Sequence, residues 1–534
     1  MHRLIAALVL FAPTLACAAP PPGFDRRVEE VRRKLDAVGF AAVIVEDGKV
    51  TLSNGYGRKH MQRPDPVDAD TLFQIGSVTK HFTAAALATL VDEGKLKWED
   101  PVIDHLPDFR MYDPWVTREM TVRDLLTHRS GLGLGQGDLM FVPASTISRA
   151  EVVRRIRHLK PATSFRSAYA YDNILYAVAG QLVEAKTGRT WEAYVRDRLL
   201  KPAGMADSVT NDPDRWTVAN RALPHGRLGE IRGLGPQEPL DEKGVALGQN
   251  VGPAGAVSSS ANDMGRWLQV QLGEGKAASG AQVFSAAAAR EMWKPVVLIN
   301  APPFPGALAE ASPQFSTYAL GWNVKDYRGH KVISHGGGTL GFRAVAVLIP
   351  EKNVGFAMMV NSEENAMIPA LTNELLDHYL GLPRRDWVAA YTEFLDRRMA
   401  EGLKAARAAR QARPAASKPS LPAEGYAGTY ADPWYGPIAV KAQDGALSID
   451  FLQTPGMTAP LEHWAYDTFV ARWSDGVTEP AFVTFSLDAD GKPARIAMKA
   501  VSPVADFSYD FHDLDFRPVP ANQPGPSRPG QTGS

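Results

Sequence analysis

The sequence predicts an α/β domain over residues 24–382, followed by a small all-β domain over residues 425–519. Apolar runs typical of strands stand at both ends of the first region, and amphipathic helical patterns fill its middle. In the second region, short strand-like runs alternate with Asp-Gly turn signals. Strands on both sides of a helical middle predict one sheet that the two ends of the domain close together, with a helical insertion between them.

The α/β domain begins with a predicted hairpin and continues into helices. Residues 43–45 and 50–52 are apolar and flank a turn signal at residues 46–49. Helical periodicity then predicts helices over residues 77–93, 122–127, 150–158, 173–187 and 191–200. Apolar runs at residues 344–349 and 354–360 predict the late strands that complete the sheet.

Residues 383–422 are predicted to connect the two domains. Most of this stretch is rich in Ala, Arg and Glu. Because Glu393, Asp396 and Glu401 are interleaved with the arginines, the pattern favours a solvated linking helix over a basic surface for nucleic acid. Residues 414–422 are rich in Pro, Ala and Ser, which is typical of a linker.

The all-β prediction for residues 425–519 depends on turn signals. Asp-Gly pairs at residues 444–445, 475–476 and 490–491 separate short strand-like runs, as in a small antiparallel domain. Residues 520–534 consist mainly of Pro, Gly, Ser and Gln, so we predict a disordered tail there.

Composition and charge narrow the classes of function. The chain has 534 residues, 45% of them hydrophobic, which suffices for more than one core. Its formal net charge of −1 gives no overall attraction for nucleic acid or for an anionic membrane. We therefore expect no nucleic-acid partner.

Residues 1–18 are predicted to be a signal peptide, because a basic start and an apolar run precede Ala16-Cys17-Ala18. Cleavage there predicts a periplasmic or secreted protein. Cys17 is the only cysteine, so the mature chain would have none, which excludes disulfides, a thiol nucleophile and thiolate metal sites. Alternatively, residues 14–17 are a lipoprotein processing site, and a lipid on Cys17 would attach the protein to a membrane.

Ser77 and Lys80 form a compact nucleophile and base at the start of a predicted helix. Residues three apart share a helix face, so the Lys80 amine can reach the Ser77 hydroxyl. A partly buried amine has a lowered pKa and can remove the serine proton. Gly76 allows a tight turn, and the Ser77 N–H is a free donor of the first helical turn for an oxyanion. The alternative is a solvated lysine on a helix face.

Tyr171 and Asn173 are two residues apart in a loop before a predicted helix, so both can face one cleft. A tyrosine whose pKa is lowered by a nearby ammonium can shuttle a proton, and an asparagine can bind a substrate amide. The alternative is a buried aromatic followed by an asparagine that caps the helix. His128, at the end of an apolar run, is expected to be a hydrogen-bonded structural residue.

A glycine run at Gly336-Gly337-Gly338 follows a strand-like segment. It lets a substrate approach the backbone closely, and the Gly338 N–H is a candidate second donor to an oxyanion. His335 can donate a hydrogen bond or carry charge toward a substrate carboxylate. His330 and His335 would lie on opposite faces of a strand without accompanying acidic ligands, so we predict no metal site and no cofactor.

Six stretches, in order along the chain, together resemble the serine β-lactamases and penicillin-binding-protein-like hydrolases, on the class C β-lactamase and D-alanyl-D-alanine carboxypeptidase side. They are FQIGSVTKHFTA at Phe73, LLTHRSGL at Leu125, YAYDNILYAVAG at Tyr169, PAGAVSSSANDMGRW at Pro253, YALGW at Tyr318 and ISHGGGTLGF at Ile333. S-x-x-K is the first part of a related signature. The resemblance implies a β-lactamase/transpeptidase-like fold, with an antiparallel sheet flanked by helices and a helical subdomain.

The resemblance also implies roles for the candidate residues. Ser77 would be the acylated nucleophile and Lys80 its partner. Tyr171 corresponds to the family's proton-shuttling tyrosine, and Asn173 to the residue that holds the amide side chain of the substrate. The N–H groups of Ser77 and Gly338 would form the oxyanion hole. The implied mechanism is attack on a carbonyl, an acyl-enzyme and hydrolysis by water.

The sequence departs from the lactamase pattern where His335-Gly336-Gly337 replaces the Lys-Thr-Gly element. A lysine there is a permanent cation for a substrate carboxylate, whereas a histidine is only partly charged near neutral pH. Such replacements are similar to those in the esterase, DD-peptidase and D-amino-acid peptidase branches. We therefore expect an exported hydrolase of amide or ester bonds, acting on small peptides with D-residues.

The sequence is also compatible with two other functions. A β-lactamase is the nearest alternative enzyme, and a penicillin- or muropeptide-binding sensor that is acylated but barely turns over belongs to another class. The segment that starts at Tyr426 resembles the lipocalin-like β domain found behind several of these hydrolases. Trp434 and Tyr435 are candidates for contact with the far end of the substrate, and a packing or dimerisation module is the other interpretation.

Overall fold

The computed structural model describes residues 19–520. The predicted signal peptide, with Cys17, and residues 521–534 of the predicted tail lie outside the described residues. Within residues 19–520 the chain forms two large sheets of eight strands each. In the same range, none of the helices has the length and apolar character needed to cross a membrane.

The first large sheet is built from strands at both ends of the α/β domain. In chain order, the strands of this domain are β1 (Gly39–Glu46), β2 (Lys49–Gly57), β3 (Phe73–Gln74), β4 (His225–Arg227), β5 (Gln237–Pro239), β6 (Ser258–Ser259), β7 (Val297–Leu298), β8 (Ser316–Tyr318), β9 (Asn323–Tyr327), β10 (His330–Thr339), β11 (Phe342–Ile349) and β12 (Val354–Val360). The antiparallel order is β2-β1-β12-β11-β10-β9-β8-β7. Val43 of β1 lies opposite Ala357 of β12, so the predicted closure of one sheet by both ends is confirmed.

Helices fill the middle of the domain and its C-terminal side. In chain order they are α1 (Phe24–Lys34), α2 (Lys80–Asp92), α3 (Pro114–Glu119), α4 (Arg149–Arg155), α5 (Ile174–Thr187), α6 (Trp191–Val195), α7 (Lys201–Ala203), α8 (Asp212–Thr217), α9 (Gly252–Gly255), α10 (Ala261–Leu272), α11 (Ala286–Met292), α12 (Met367–Leu380), α13 (Trp387–Gln411) and α14 (Ala423–Tyr426). Helix α13 is the linking helix that the interleaved charges predict.

Strand β1 lies between two hydrophobic cores, because successive side chains of a strand point to opposite faces. Val43 and Val45 pack in the larger core with side chains of α2, α5 and α10. Phe40 and Ile44 pack in a second core with α1 and α12. All residues of β1 are buried, which explains why its sequence shows no alternation of polar and apolar residues.

The C-terminal sheet forms a nearly closed barrel. Its strands are β13 (Gly428–Asp432), β14 (Gly436–Gln443), β15 (Ala446–Phe451), β16 (Thr458–Ala465), β17 (Thr468–Ala471), β18 (Ala481–Leu487), β19 (Pro493–Ala500) and β20 (Arg517–Pro518), in the order β19-β18-β17-β16-β15-β14-β13-β20. A bridge between Ile496 and Phe516 brings the two edges together. Asp444 and Gly445 both have positive φ, as a two-residue hairpin turn requires.

One predicted helix, at residues 122–127, is only a 3₁₀ turn, Asp124–Leu126. The carboxylate of Asp124 accepts hydrogen bonds from the backbone N–H and the hydroxyl of Thr121, at 3.0 and 2.7 Å. It also pairs with Arg129 and Arg166. These side-chain bonds compete with a regular helix. The predicted fold class, an antiparallel sheet flanked by helices followed by an all-β domain, is confirmed.

Candidate active site

Ser77 lies where a short strand turns into a buried helix. Strand β3 ends at Gln74, a 3₁₀ turn spans Gly76–Thr79, and α2 begins at Lys80. Ser77 is partly exposed, whereas Lys80 is fully buried. The contact predicted from the three-residue spacing is confirmed, because Lys80 Nζ lies 3.0 Å from Ser77 Oγ.

The amine of Lys80 is held by three oxygens. Its Nζ lies 3.0 Å from Ser77 Oγ, 2.7 Å from Asn173 Oδ1 and 3.0 Å from the Ala254 carbonyl oxygen. Burial lowers the pKa of Lys80 to about 7, against the opposing effect of nearby carboxylates, chiefly Asp138. A neutral amine has two N–H donors and one lone pair. The two donors are satisfied by the asparagine and the carbonyl, so the lone pair faces the serine hydroxyl.

Tyr171 approaches Ser77 from the other side, and its OH donates a hydrogen bond to Ser77 Oγ at 2.7 Å. Burial raises the pKa of Tyr171 well above its usual value, even though Lys80 Nζ lies 4.8 Å from the centre of its ring. The expectation that an ammonium lowers this pKa is therefore wrong, because removal from water strongly disfavours the charged phenolate form. The phenol stays protonated and acts as a donor to the serine oxygen.

Asn173 stands at the N-cap position of α5, but its side chain makes no capping hydrogen bond to any described residue. Its Oδ1 accepts from Lys80 Nζ, and its Nδ2 donates to Asp138 Oδ2 at 2.8 Å. The capping alternative is therefore wrong for the side chain. The prediction that Tyr171 and Asn173 face one cleft is confirmed.

Strand β10 passes the Ser77 turn at a distance that only glycine permits. A Cβ on Gly337 would lie 1.9 Å from the Ile75 carbonyl oxygen and 3.1 Å from the Ser77 nitrogen. Gly76 has φ +50°, and a Cβ there would lie 2.7 Å from the Gly338 nitrogen. The backbones of Ser77 and Gly338 thus come together, as two donors to one oxyanion must.

His335 lines the cleft, but both nitrogens of its ring are bonded to protein groups. Nδ1 lies 2.6 Å from the Gly336 carbonyl oxygen, which can only accept, so Nδ1 carries the proton. Nε2 then accepts from the Tyr318 hydroxyl at 2.8 Å. Burial lowers the pKa of His335 to about 3, and the positive charge of Lys80 adds to the effect. The ring is neutral at neutral pH, so the expectation that it carries charge toward a substrate carboxylate is wrong.

His128 has the structural role that the sequence predicts. It is fully buried, and its Nδ1 accepts from the Asp172 backbone N–H at 3.2 Å. Its ring centre lies 4.3 Å from that of Tyr171 and 4.4 Å from that of Tyr318. The imidazole therefore supports the aromatic ring that reaches the serine.

Asp138 belongs to the site, although the sequence analysis did not identify it. It follows Gly137 (φ +85°) and begins the 3₁₀ turn Asp138–Met140. Its carboxyl is buried against Asn173, and burial raises its pKa to about 7. One signal was available: a single acidic residue closes a glycine-rich loop directly after the LLTHRSGL stretch.

The C-terminal domain also reaches the cleft. Its 3₁₀ turn Phe507–Tyr509 lines the same cavity as Ser77. No motif distinguishes this turn in the sequence. Trp434 and Tyr435, the predicted contacts for a substrate, are instead buried, and Trp434 Nε1 donates to the Gly137 carbonyl oxygen of the other domain at 3.2 Å. The prediction for these two aromatics is wrong, and the packing interpretation applies to them.

The cleft has a volume of about 770 Å³ and extends from Ser77 past His335 to Arg398 and Met399 of α13. This size is typical of sites for small molecules and short peptides. Within residues 19–520, no group of three or more His, Cys, Asp or Glu side chains is arranged to hold a metal ion. His330 bonds Glu351 on the surface, away from the cleft.

Comparison with known proteins assigns this site to a family. The family model described as Beta-lactamase matches residues 24–381. The chain belongs to the Beta-lactamase family. A second model, described as a domain of unknown function (DUF3471), matches residues 412–518. An unguisins hydrolase of Aspergillus violaceofuscus, ungD, is 28% identical over 504 residues, which cover 89% of this chain and 87% of that protein.

Two solved structures show the fold of this Beta-lactamase family member over most of their own length. The octameric penicillin-binding protein homologue from Pyrococcus abyssi has a TM-score of 0.58 at 20% identity and covers 89% of this chain and 97% of that one. The D-amino acid amidase of Ochrobactrum anthropi SV3 has a TM-score of 0.54 at 20% identity, with 67% and 97% covered. The predicted resemblance is confirmed, and the protein is a serine hydrolase of this family.

Proposed function

We propose that this protein is an exported serine hydrolase that cleaves amide or ester bonds through an acyl-enzyme on Ser77. Its preferred substrates are short peptides with D-residues, in the manner of a D-peptide hydrolase, DD-peptidase or esterase. One observation carries the proposal. Ser77 Oγ is in hydrogen-bond contact with both Lys80 Nζ, at 3.0 Å, and Tyr171 OH, at 2.7 Å.

Acylation begins when the lone pair of Lys80 Nζ accepts the proton of the Ser77 hydroxyl. The Oγ attacks the substrate carbonyl carbon, and the negative charge that moves onto the carbonyl oxygen is stabilised by the N–H groups of Ser77 and Gly338. The bond to the leaving group then breaks. Tyr171 protonates the departing nitrogen or oxygen, and the phenol regains a proton from the Lys80 ammonium. An ester between Ser77 and the acyl group remains.

Deacylation uses the same groups with water as the nucleophile. The neutral amine of Lys80 accepts a proton from the water, and the hydroxide adds to the ester carbon. The second tetrahedral intermediate collapses, Ser77 Oγ takes back a proton from the Lys80 ammonium, and a carboxylic acid leaves. Each residue ends in its starting protonation state, so the cycle needs no further reactant.

Three observations support the substrate class. The neutral ring of His335 offers no cation where a lactamase-like lysine would stand, which disfavours β-lactams as the main substrates. The cleft volume suits a short peptide. The compared proteins include a hydrolase named for unguisins and a D-amino acid amidase.

The proposal is tested with a panel of p-nitrophenyl esters, D- and L-amino-acid amides, D- and L-dipeptides and β-lactams. We expect wild-type turnover to be highest on D-configured amides or on esters, and Ser77→Ala to lose activity on every substrate by at least about 10³-fold. Thr89→Ser, a hydroxyl change in the buried helix α2 that follows the Ser77 turn but away from the cleft, is the matched control. Full activity of Ser77→Ala would remove the serine from the mechanism.

The panel also separates the alternatives. Faster turnover of β-lactams than of amides and esters would identify a β-lactamase. Mass spectrometry of the protein after mixing with substrate tests the sensor alternative, since a sensor keeps the acyl group on Ser77 for hours whereas a hydrolase releases it. Export is tested by determining the N-terminus of protein recovered from the periplasm or medium, which we expect to begin after Ala18.

A further inference from the structure

The C-terminal domain places a turn directly against the proposed nucleophile's partners. The ring centre of Phe507 lies 5.9 Å from that of Tyr171. The loop facing this turn is shaped to receive it, because a Cβ on Gly135 would lie 2.5 Å from the Phe507 ring. Next to Phe507, the hydroxyl of Ser508 donates to Asp138 Oδ2 at 2.9 Å.

This hydrogen bond begins a chain that ends at the lysine. Asp138 Oδ2 accepts from Ser508 Oγ and from Asn173 Nδ2, and Asn173 Oδ1 accepts from Lys80 Nζ. The second oxygen, Asp138 Oδ1, is buried and has no hydrogen-bond partner among the described residues. The two bonds at Oδ2 are therefore the contacts that hold this carboxyl in place.

The C-terminal domain also holds the backbone on the N-terminal side of Asp138. The Gly137 N–H donates to Asp513 Oδ2 at 2.6 Å, and the Gly137 carbonyl accepts from Trp434 Nε1 at 3.2 Å. Both backbone polar groups of Gly137 are thus bonded to the other domain. The conformation that aims Asp138 into the cleft depends on docking of the barrel.

We propose that the C-terminal domain completes the catalytic apparatus: Ser508 and Asp138 are positioning residues that orient Asn173, and through it the amine of Lys80. The inference rests on the proposed function, in which Lys80 is the base for Ser77. It gives the domain of unknown function a role in the reaction at the serine of the other domain.

The ionisation of Asp138 and that of Lys80 influence each other. Burial brings the pKa of Asp138 up to about 7 and that of Lys80 down to about 7, so their titrations overlap. An ionised Asp138 favours the ammonium form of Lys80, and the hydrogen bond from Ser508 favours the ionised Asp138. Loss of either group therefore favours the neutral amine at lower pH.

Other titratable groups also face this pair. Those around Lys80 are Asp172, His81, His128, His335, Tyr171 and Tyr176. Those around Asp138 are Asp172, Tyr435, Tyr509 and His512. All of them remain in the variants proposed below, so a change in the pH profile reports on the altered group.

The test is the pH profile of kcat/KM for the full chain between pH 5 and 9, on the best substrate of the panel. The acidic limb reports ionisation of the free enzyme. We expect Asp138→Asn to move this limb to lower pH by about one unit and Ser508→Ala by about 0.5 unit, with the plateau reduced about tenfold. Ser508→Thr keeps the hydroxyl and is expected to restore the wild-type limb. Ser486→Ala, an exposed serine of the same domain, is the control.

The double variant isolates the coupling. Since Ser508 acts through the carboxylate, Ser508→Ala is expected to add no further shift to Asp138→Asn. An unmoved acidic limb in both single variants, or additive shifts in the double variant, would overturn the inference. If Ser508→Ala does not fold, Ser508→Cys takes its place, because a thiol of similar size donates only a weak hydrogen bond to Asp138, and an unmoved acidic limb in that variant would overturn the inference. Active Ser77→Ala would instead refute the proposed function, so the two failures are distinguishable.

Discussion

The two domains contribute to one cleft by different means. In the Beta-lactamase domain, Ser77, Lys80, Tyr171 and Asn173 are bonded to one another in a continuous network. In the C-terminal domain the turn Phe507–Tyr509 reaches the cleft, and its Ser508 hydroxyl donates to Asp138, which in turn accepts from Asn173 of that network. The first domain therefore holds the groups that we propose to transfer protons, and the second lines part of the cleft in which they lie.

The same difference is present in the sequence. The groups of the first domain are near one another along the chain or stand in recognisable stretches, such as the serine and lysine three residues apart. Ser508 is separated from Asp138 by 370 positions. The candidate catalytic groups can thus be recognised from local patterns, whereas the contact from the second domain depends on how that domain packs against the first.

The largest effect is expected at the base. Lys80→Met removes the amine but keeps a chain of similar length, so the loss of the proton acceptor should lower kcat by about 10³-fold across the pH range. The matched control is Lys325→Met, because burial also lowers the pKa of Lys325, which lies on β9 and not in the cleft. Steady-state kinetics with circular dichroism measure both. Equal losses in the two variants would contradict a special role for Lys80.

An intermediate effect is expected from the glycine run that joins the site to the sheet. Gly337→Ala would place a Cβ 1.9 Å from the Ile75 carbonyl oxygen, so the Ser77 turn must move. A displacement of this kind is expected to lower kcat/KM by about 100-fold.

The neighbouring Gly336→Ala is the control for this prediction, since its Cβ would meet its nearest atom, the Ala344 carbonyl oxygen, only at 3.9 Å. We expect kcat/KM to change less than threefold in this variant, roughly the scale of an uncrowded substitution. If Gly336→Ala and Gly337→Ala lose the same activity, close approach of the strand to the Ser77 turn is not the reason for the glycine.

The smallest effect is expected at Phe507, which lines the cleft from the second domain. Phe507→Ala removes an apolar surface beside Tyr171, so KM should rise about tenfold for substrates with a large apolar group and less for small ones, with kcat nearly unchanged. Tyr466→Ala, at a ring that is 64% exposed on the same domain, is the control. A fall in kcat without a change in KM would mean that Phe507 supports the chemistry and not the selection of substrates.

Much of the fold and part of the site could be predicted because the relevant contacts are local. The hairpin of β1 and β2, the helix after Ser77 and the shared direction of Tyr171 and Asn173 follow from the periodicity of strands, helices and loops. The neutral state of His335 could not be predicted, because it depends on Tyr318 and the surrounding core. Asp138 was missed for the same reason, since its partners come from two distant parts of the chain.

The sequence by itself determined the contact between Ser77 and Lys80, the glycine run of β10 and the change from an α/β region to an all-β region. These depend on spacing of a few residues, which the geometry of helices and strands converts directly into contacts. Only the tertiary structure decided that Lys80 is buried with a pKa of about 7, that Tyr171 stays protonated and that the barrel meets Asp138. The physical reason is that a pKa depends on desolvation and neighbouring charges, which residues far apart in the chain supply together.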